Sequence, residues 1–283
     1  MDAPKRIGIV GTGLIGAAFA ALVARRAPGV TIEAVEPKGS YREAVGARLP
    51  NLRWQHCASE LDRCDMVFLA CPPDTVVPVA RQVLEAGKGL VVDFASTKGR
   101  IVADLSDAPR FIGAHPLAGG NRPGPFRAEP DALTAAKVVL TPHDGNDEAD
   151  VERVERFLAS LGCTVVRIDA TAHDTLLART SHLPHLLAYG YAGLLARMDE
   201  GELGAFASRS TREISRFASL NTRMWAQIFD QNAEAVSSAL DELIVELMDL
   251  RNAFAGARAG RVEPSLADAA RISEILNGSN DDD

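Results

Sequence analysis

An α/β domain followed by an all-helical domain is the fold class predicted by this chain, on three observations. Short β-branched runs alternate with helix-like stretches through the first half. Three glycines stand between the first such run and the first helix. After Ile168 the strand signals stop and only helical periodicity remains. The length of 283 residues suits two ordinary domains, drawn at 1–168 and 169–283.

In order, "RIGIV", "VTIEAVE", "MVFLA", "GLVVDF", "RFIGAH", "AKVVLTP" and "CTVVRI" read as strands, because β-branched and aromatic side chains suit a pleated, buried surface. Between them "LIGAAFAALVARR", "TVVPVARQVLEAG" and residues 147–161 read as helices. Strands alternating with helices predict a parallel sheet covered on both faces. The second half predicts helices over residues 170–198, 205–217, 222–259 and 265–276. Leu240, Leu243, Ile244, Leu247, Leu250 and Phe254 recur at helical spacing. At 1.5 Å per residue a helix over 222–259 exceeds about 50 Å, more than one small domain needs to cover itself. A homodimer through the C-terminal helices is the expected use. The closing "NGSNDDD" is polar and like-charged, and is expected to be a disordered tail.

With 47% hydrophobic residues, 24% charged and a net charge of −8, the chain is an acidic globule, which argues against nucleic acid and anionic membrane as partners. "MDAPKR" runs straight into "IGIVG", leaving no room for a cleavable leader, and no apolar run reaches the length of a bilayer span. A cytoplasmic location is expected. Cys57, Cys64, Cys71 and Cys163 show no C-x-x-C spacing and read as reduced structural thiols.

"GIVGTGLIGAAFA" places Gly11, Gly13 and Gly16 directly between a strand and a helix, with Thr12, Leu14 and Ile15 in the same loop. The first glycine permits a tight turn, the second lets backbone approach a pyrophosphate, and the third lets the helix pack on the sheet. The pyrophosphate then sits at a helix N-terminus, where free N–H groups and the dipole favour negative charge. A Rossmann-like dinucleotide-binding domain is predicted. Glu36 ends the second strand, 20 residues beyond Gly16, where a carboxylate accepts from an adenosine ribose and repels a 2′-phosphate. NAD is therefore expected over NADP, with Lys38 and Arg42 as the residues that leave NADP open.

Four of the six histidines lie in two short runs, "GAHPLAGG" with His115 and "HDTLLARTSHLPH" with His173, His182 and His185. Imidazole trades protons near neutral pH. His182 and His185, three apart, share a helix face, and His173 lies two and a half turns before His182. Three histidines on one helix also suggest a metal, but no acidic or thiol ligand accompanies them at a zinc-like spacing and Pro184 intervenes, so no metal is expected.

Taken together, "GTGLIG", "DFASTKG", "GAHPLAG", "HDTLLARTSHLPH" and "SRFASLNTRMW" resemble the prephenate/arogenate dehydrogenase family of tyrosine biosynthesis, in family order over nearly the whole chain. The resemblance implies a nucleotide-binding domain followed by a helical dimerisation domain, and an enzyme oxidising and decarboxylating prephenate to 4-hydroxyphenylpyruvate with NAD. It implies His115 as the base that takes the ring hydroxyl proton, on a loop at the sheet's carboxyl edge, and Ser96 as the serine reaching substrate hydroxyl and nicotinamide. Read from the residues alone, Ser96 is equally a helix N-cap and Lys98 a solvated helix-start residue. The resemblance further implies that His185 contacts a substrate carboxylate while His173 and His182 support the pocket, Asp174 orienting an imidazole. Cys71 and Pro72, after "MVFLA", join the cofactor contacts.

The family's carboxylate-binding arginine falls nine residues before a tryptophan, which here makes Arg216 before Trp225, with Arg212 as competitor. Arginine suits the task because its planar fork engages both carboxylate oxygens. Trp225 is expected to wall the pocket. After "HPLAG" many members continue with Thr-Glu-Lys, whereas this chain has Gly120, Asn121, Arg122 and Pro123. Gly120 and Asn121 are assigned to the substrate, and the missing acidic residue favours prephenate over arogenate. Arogenate, dual cyclohexadienyl specificity and 4-amino-4-deoxyprephenate stay as alternatives, as do a β-hydroxyacid dehydrogenase or imine reductase and a non-catalytic NAD-binding sensor or scaffold.

Overall fold

The structure is a computed structural model that describes residues 3–118, 124–219, 221–255 and 263–277. Eight strands alternate with helices: β1 (Arg6–Val10), α1 (Leu14–Arg26), β2 (Thr31–Val35), α2 (Gly39–Arg48), β3 (Arg53–Gln55), β4 (Met66–Leu69), α3 (Pro73–Ala86), β5 (Leu90–Asp93), α4 (Gly99–Asp104), β6 (Phe111–Pro116), α5 (Asp131–Thr134), β7 (Lys137–Thr141), α6 (Glu148–Ser160) and β8 (Thr164–Arg167). They form one sheet in the order β3-β2-β1-β4-β5-β6-β7-β8. The short α2 and β3 escaped the sequence reading, since neither carries a long apolar run.

The central strands read as unbroken apolar runs because both of their faces are covered. Ile7 and Ile9 of β1 and Met66 and Phe68 of β4 point into one core with α1 and α6. Val10, Val67 and Leu69 point into the other, with α3 and α4. The sheet is parallel except at one junction, β6 against β7, which corrects the all-parallel expectation. Between Pro116 and Lys137 the only described helices are the short turn Pro125–Arg127 and four-residue α5. Among the described residues there, no helix is long enough to carry a parallel crossover, and the chain returns antiparallel.

The helices that follow are α7 (Ala170–Leu177), a π-helical turn (Ala178–His182), α8 (Leu183–Leu195), α9 (Glu200–Phe206), α10 (Arg209–Ser215), a 3₁₀ turn (Arg216–Ser219), α11 (Thr222–Gln231), α12 (Ala233–Ala255) and α13 (Glu263–Asn277). Asp169 caps α7 through Thr171 and Ala172 N–H, and Asn221 caps α11 through Met224 N–H. Two helices expected to be continuous are divided. The 205–217 stretch is split because Ser208 starts a new helix by accepting from Thr211 N–H. The 222–259 stretch breaks at Asn232, whose backbone leaves helical geometry and whose side chain turns inward.

The chain gathers into two compact units, Met1–Ala233 and Glu234–Asp283. The first holds the sheet with α7 to α11, and all the site residues below. In the second, Ile244, Val245, Leu247 and Met248 of α12 and Leu266 and Ile272 of α13 are exposed. Among the described residues no helix is long and apolar enough to cross a membrane. The acidic end, 278–283, lies outside the described residues.

Candidate active site

The strand order turns about at β1 and β4, the switch point where open α/β sheets bind ligands beyond their carboxyl ends. Gly11 there has φ +88°, and a Cβ on it would lie 2.6 Å from the Ala70 carbonyl oxygen. A Cβ on Gly16 would lie 1.9 Å from the Gly11 oxygen, so α1 reaches the sheet only through glycine. Gly13 meets nothing within 4 Å, and no side chain caps α1. Open space over uncapped N–H groups is a cradle for a pyrophosphate, and the loop residues Gly11, Thr12, Gly13, Leu14, Ile15 and Gly16 fit a dinucleotide.

Glu36, just beyond β2, is buried and accepts from Thr12 N (2.7 Å), Thr12 Oγ1 (3.2 Å) and Lys38 N (3.0 Å). Its carboxylate braces the glycine loop. Cys71 and Pro72 follow β4 at the same edge, and burial pushes the Cys71 thiol up to about 11, which keeps it protonated.

His115 is the penultimate residue of β6, paired in the ladder with Val139. It is held by the strand and not, as expected, by a loop. Its ring is buried and edges the ring of His173 in α7, with Nδ1 3.0 Å from His173 Nε2. His173 Nδ1 lies 2.8 Å from Asp174 Oδ1. Asp174 also accepts from Lys98 N (2.8 Å) and Gly99 N (2.7 Å), so it caps α4 from a different helix. That capping removes the N-cap alternative for Ser96, which stands half-buried three residues before α4.

The tautomers follow from these partners. A carboxylate only accepts, so His173 carries its proton on Nδ1 and accepts on Nε2. His115 must then donate from Nδ1, leaving the lone pair of Nε2 as its reactive face. Burial, then the neighbouring His173, Lys98 and His182, hold the His115 pKa well below the ordinary imidazole range. The site thus presents a neutral, oriented base.

Lys98 overturns its reading as a solvated residue. It is wholly buried and ion-paired with Asp93 at the end of β5, itself wholly buried. Asp93 Oδ1 also accepts from Ala95 N at 2.8 Å. Burial lowers the Lys98 pKa, while Asp93 opposes that shift. The spacing of Asp93 and Lys98 within "DFASTK" was legible, but nothing in it announced burial.

The π-helical turn joins His173 to His182 and His185. Such turns recur at functional sites because one extra residue re-aims the side chains that follow. His182 is buried, and His185 is half-buried with Nδ1 2.8 Å from the Ser181 carbonyl oxygen. His185 therefore donates from Nδ1 and offers a lone pair on Nε2. Its ring stacks on Trp225 at 3.6 Å, and Phe217 closes the other side at 5.0 Å. The Arg216 guanidinium lies 4.6 Å from the Phe217 ring, beside this cluster, and both Arg216 and Arg212 are exposed. Gly120 and Asn121 lie outside the described residues. Among the described residues no group of three or more His, Cys, Asp or Glu is placed to hold a metal ion.

A family profile described as prephenate dehydrogenase, nucleotide-binding domain, matches residues 19–167, and one described as prephenate dehydrogenase, dimerization domain, matches residues 169–267. Cyclohexadienyl dehydrogenase of Zymomonas mobilis is 28% identical over 260 residues, 89% of either chain. Prephenate dehydrogenase of Bacillus subtilis is 28% identical over 86% of this chain and 68% of its own. The crystal structure of prephenate dehydrogenase from Aquifex aeolicus with hydroxyphenyl propionate and NAD+ has the same fold, with a TM-score of 0.90 at 24% identity, covering 96% of this chain and 98% of that one. With two family profiles spanning most of its length, over a nucleotide cradle and a buried histidine cluster, the chain belongs to the prephenate dehydrogenase family.

Proposed function

We propose that this chain is an NAD-dependent prephenate dehydrogenase, acting as a homodimer in the cytoplasm and converting prephenate to 4-hydroxyphenylpyruvate and carbon dioxide. The observation that carries the reading is the run Asp174, His173, His115, which leaves His115 Nε2 as a neutral acceptor at the carboxyl edge of the sheet. The named relatives act on cyclohexadienes by their descriptions.

Gly11, Thr12, Gly13, Leu14, Ile15, Gly16, Glu36, Cys71, Pro72 and Ser96 would hold the dinucleotide. When bound, its nicotinamide supplies the hydride acceptor. His115 Nε2 takes the proton of the ring hydroxyl as hydride departs from the same carbon, leaving a dienone. The ring carboxylate then leaves as carbon dioxide, and its electron pair aromatises the ring and places charge on the former hydroxyl oxygen. His115 returns its proton there, so the proton balance closes within the site. His173 and Asp174 stabilise the imidazolium in between, a service worth part of the roughly 10²–10⁴-fold that a positioned base supplies.

Arg216 is the carboxylate clamp in this reading, and Trp225 with Gly120 and Asn121 shapes the pocket. His185 binds a carboxylate only after gaining a second proton on Nε2, because Ser181 holds the first. NAD is preferred to NADP because the buried Glu36 carboxylate opposes a 2′-phosphate. The exposed apolar faces of α12 and α13 are the homodimer surface, consistent with the dimerization profile, which covers α12 and the start of α13.

A dual cyclohexadienyl specificity is the second reading, favoured by the name of the Zymomonas mobilis relative. Reduction of NAD or NADP by purified protein, with prephenate and arogenate in parallel, tests both. Fast turnover of prephenate with NAD supports the first reading, comparable turnover of both substrates the second. No reduction with either substrate overturns both.

A further inference from the structure

Asn232 sits where α11 ends and α12 begins, and its side chain is buried. Its Nδ2 lies 2.8 Å from the backbone oxygen of Asp174 and 3.1 Å from His182 Nδ1. A carbonyl oxygen only accepts, so the atom facing it is the amide nitrogen and not the amide oxygen. The second hydrogen of that nitrogen faces His182 Nδ1, which must therefore accept. A neutral imidazole carries one proton, so that of His182 is on Nε2.

His182 is neutral because burial lowers its pKa to about 4, against the opposing pull of Asp174. The groups that face it are His173 and Asp174 of α7, His185 of α8, His115 of β6, and Trp225 and Asn232 at α11. The other imidazoles of this cluster are set the opposite way. His115 and His185 each spend an Nδ1 hydrogen on a partner and present a lone pair, and His173 is engaged on both nitrogens. Among the described residues of the cluster, His182 is the imidazole built as an Nε2–H donor. A base and a donor are thus made from the same side chain, and only the partner of Nδ1 distinguishes them.

We infer that Asn232 is a positioning residue that locks His182 as its Nε2–H tautomer, a neutral donor to an oxygen of the anionic substrate beside the acceptor at His115. The substrate part rests on the function proposed above; the tautomer part does not. Asn232 also ties the backbone at Asp174, so one amide sets both the donor and the support of the base.

Nitrogen-15 NMR of the imidazole side chains in the full chain, assigned with His182→Ala, reads the tautomer without substrate. The expected wild-type result is an unprotonated Nδ1 and a protonated Nε2 through neutral pH. Asn232→Asp replaces the donor by an acceptor and should move the proton to Nδ1. It should also cost about 10–100-fold in kcat/KM for prephenate, the scale of one hydrogen bond to a charged group, while NAD affinity holds. In a His182→Ala background the same substitution should cost clearly less, only what the lost tie to the Asp174 backbone carries. A wild-type His182 protonated on Nδ1 overturns the inference, whether or not the variant folds. An equal loss with and without His182 overturns it too. If the tautomer is as stated and no cyclohexadiene is oxidised, the functional reading fails and the role of Asn232 in setting the tautomer stands.

Discussion

His115 Nδ1 and His173 Nε2 lie 3.0 Å apart, bringing together a strand of the nucleotide-binding half and the first helix of the second half. The contact decides which nitrogen of His115 is left with a free lone pair. His115→Asn should lower kcat by about 10²–10⁴-fold, with NAD affinity unchanged. His173→Ala keeps the base but frees its tautomer, and should cost about 10–100-fold, the scale seen when an imidazole loses its orienting partner. Steady-state kinetics with NAD titration checks both, and full activity in His115→Asn would remove the base assignment.

The acid limb of kcat/KM reports the free enzyme's base. His115 works unprotonated and its pKa is lowered, so activity should persist below the ordinary imidazole range and fall only when pH drops through the depressed value. A limb at or above the ordinary imidazole value would contradict the burial that sets it.

His185 gives a pH effect of the opposite sense. Burial lowers its pKa and leaves it neutral in the free enzyme near pH 7, so a bound carboxylate must draw a proton onto Nε2. KM for prephenate should rise with pH over that range, and calorimetry in buffers of different ionisation enthalpy should show proton uptake. No uptake would exclude His185 as a carboxylate contact. Arg216→Ala, at the arginine set against Phe217, should raise KM by about 10–100-fold, whereas Arg212→Ala should leave it within about twofold.

The Asp93–Lys98 pair has no solvent on either side. Lys98→Met strands a buried carboxylate and should destabilise the fold by about 3–5 kcal/mol, whereas Asp93→Asn with Lys98→Met should recover most of that loss. Chemical denaturation of the single and double variants measures this. A harmless Lys98→Met would mean the pair is not buried.

Glu36→Ala removes the brace on Thr12 and, in the proposed reading, the acceptor for the ribose. NAD affinity should drop by about 10–100-fold and NADP should be disfavoured less than in the parent, as read by KM for each cofactor. An unchanged ratio would place the discrimination elsewhere.

The nucleotide cradle was legible because its requirements are local. Gly11, Gly13 and Gly16 are demanded by backbone geometry within one loop, and Glu36 follows from the length of one β-α-β unit. The runs of β-branched residues announced strands for the same reason, since each central strand must be apolar on both faces wherever it is placed. His115, His173, His182 and His185 were likewise marked by residue type and spacing.

What residue types and spacing left open is what depends on distant partners. Lys98 looks like any lysine before a helix until the fold seals it against Asp93. Asp174 looks like a helix residue until its carboxylate caps α4. The break at Asn232 carries no glycine or proline signal, because it is caused by a side chain bonding across to Asp174 and His182. A linear pattern records periodicity and local turn chemistry, whereas a tautomer, a buried charge pair or a cap from another helix depends on which groups meet in space. Sequence alone therefore determined the kind of chemistry and the halves that carry it, and the tertiary structure decided which nitrogen of each histidine is free to act.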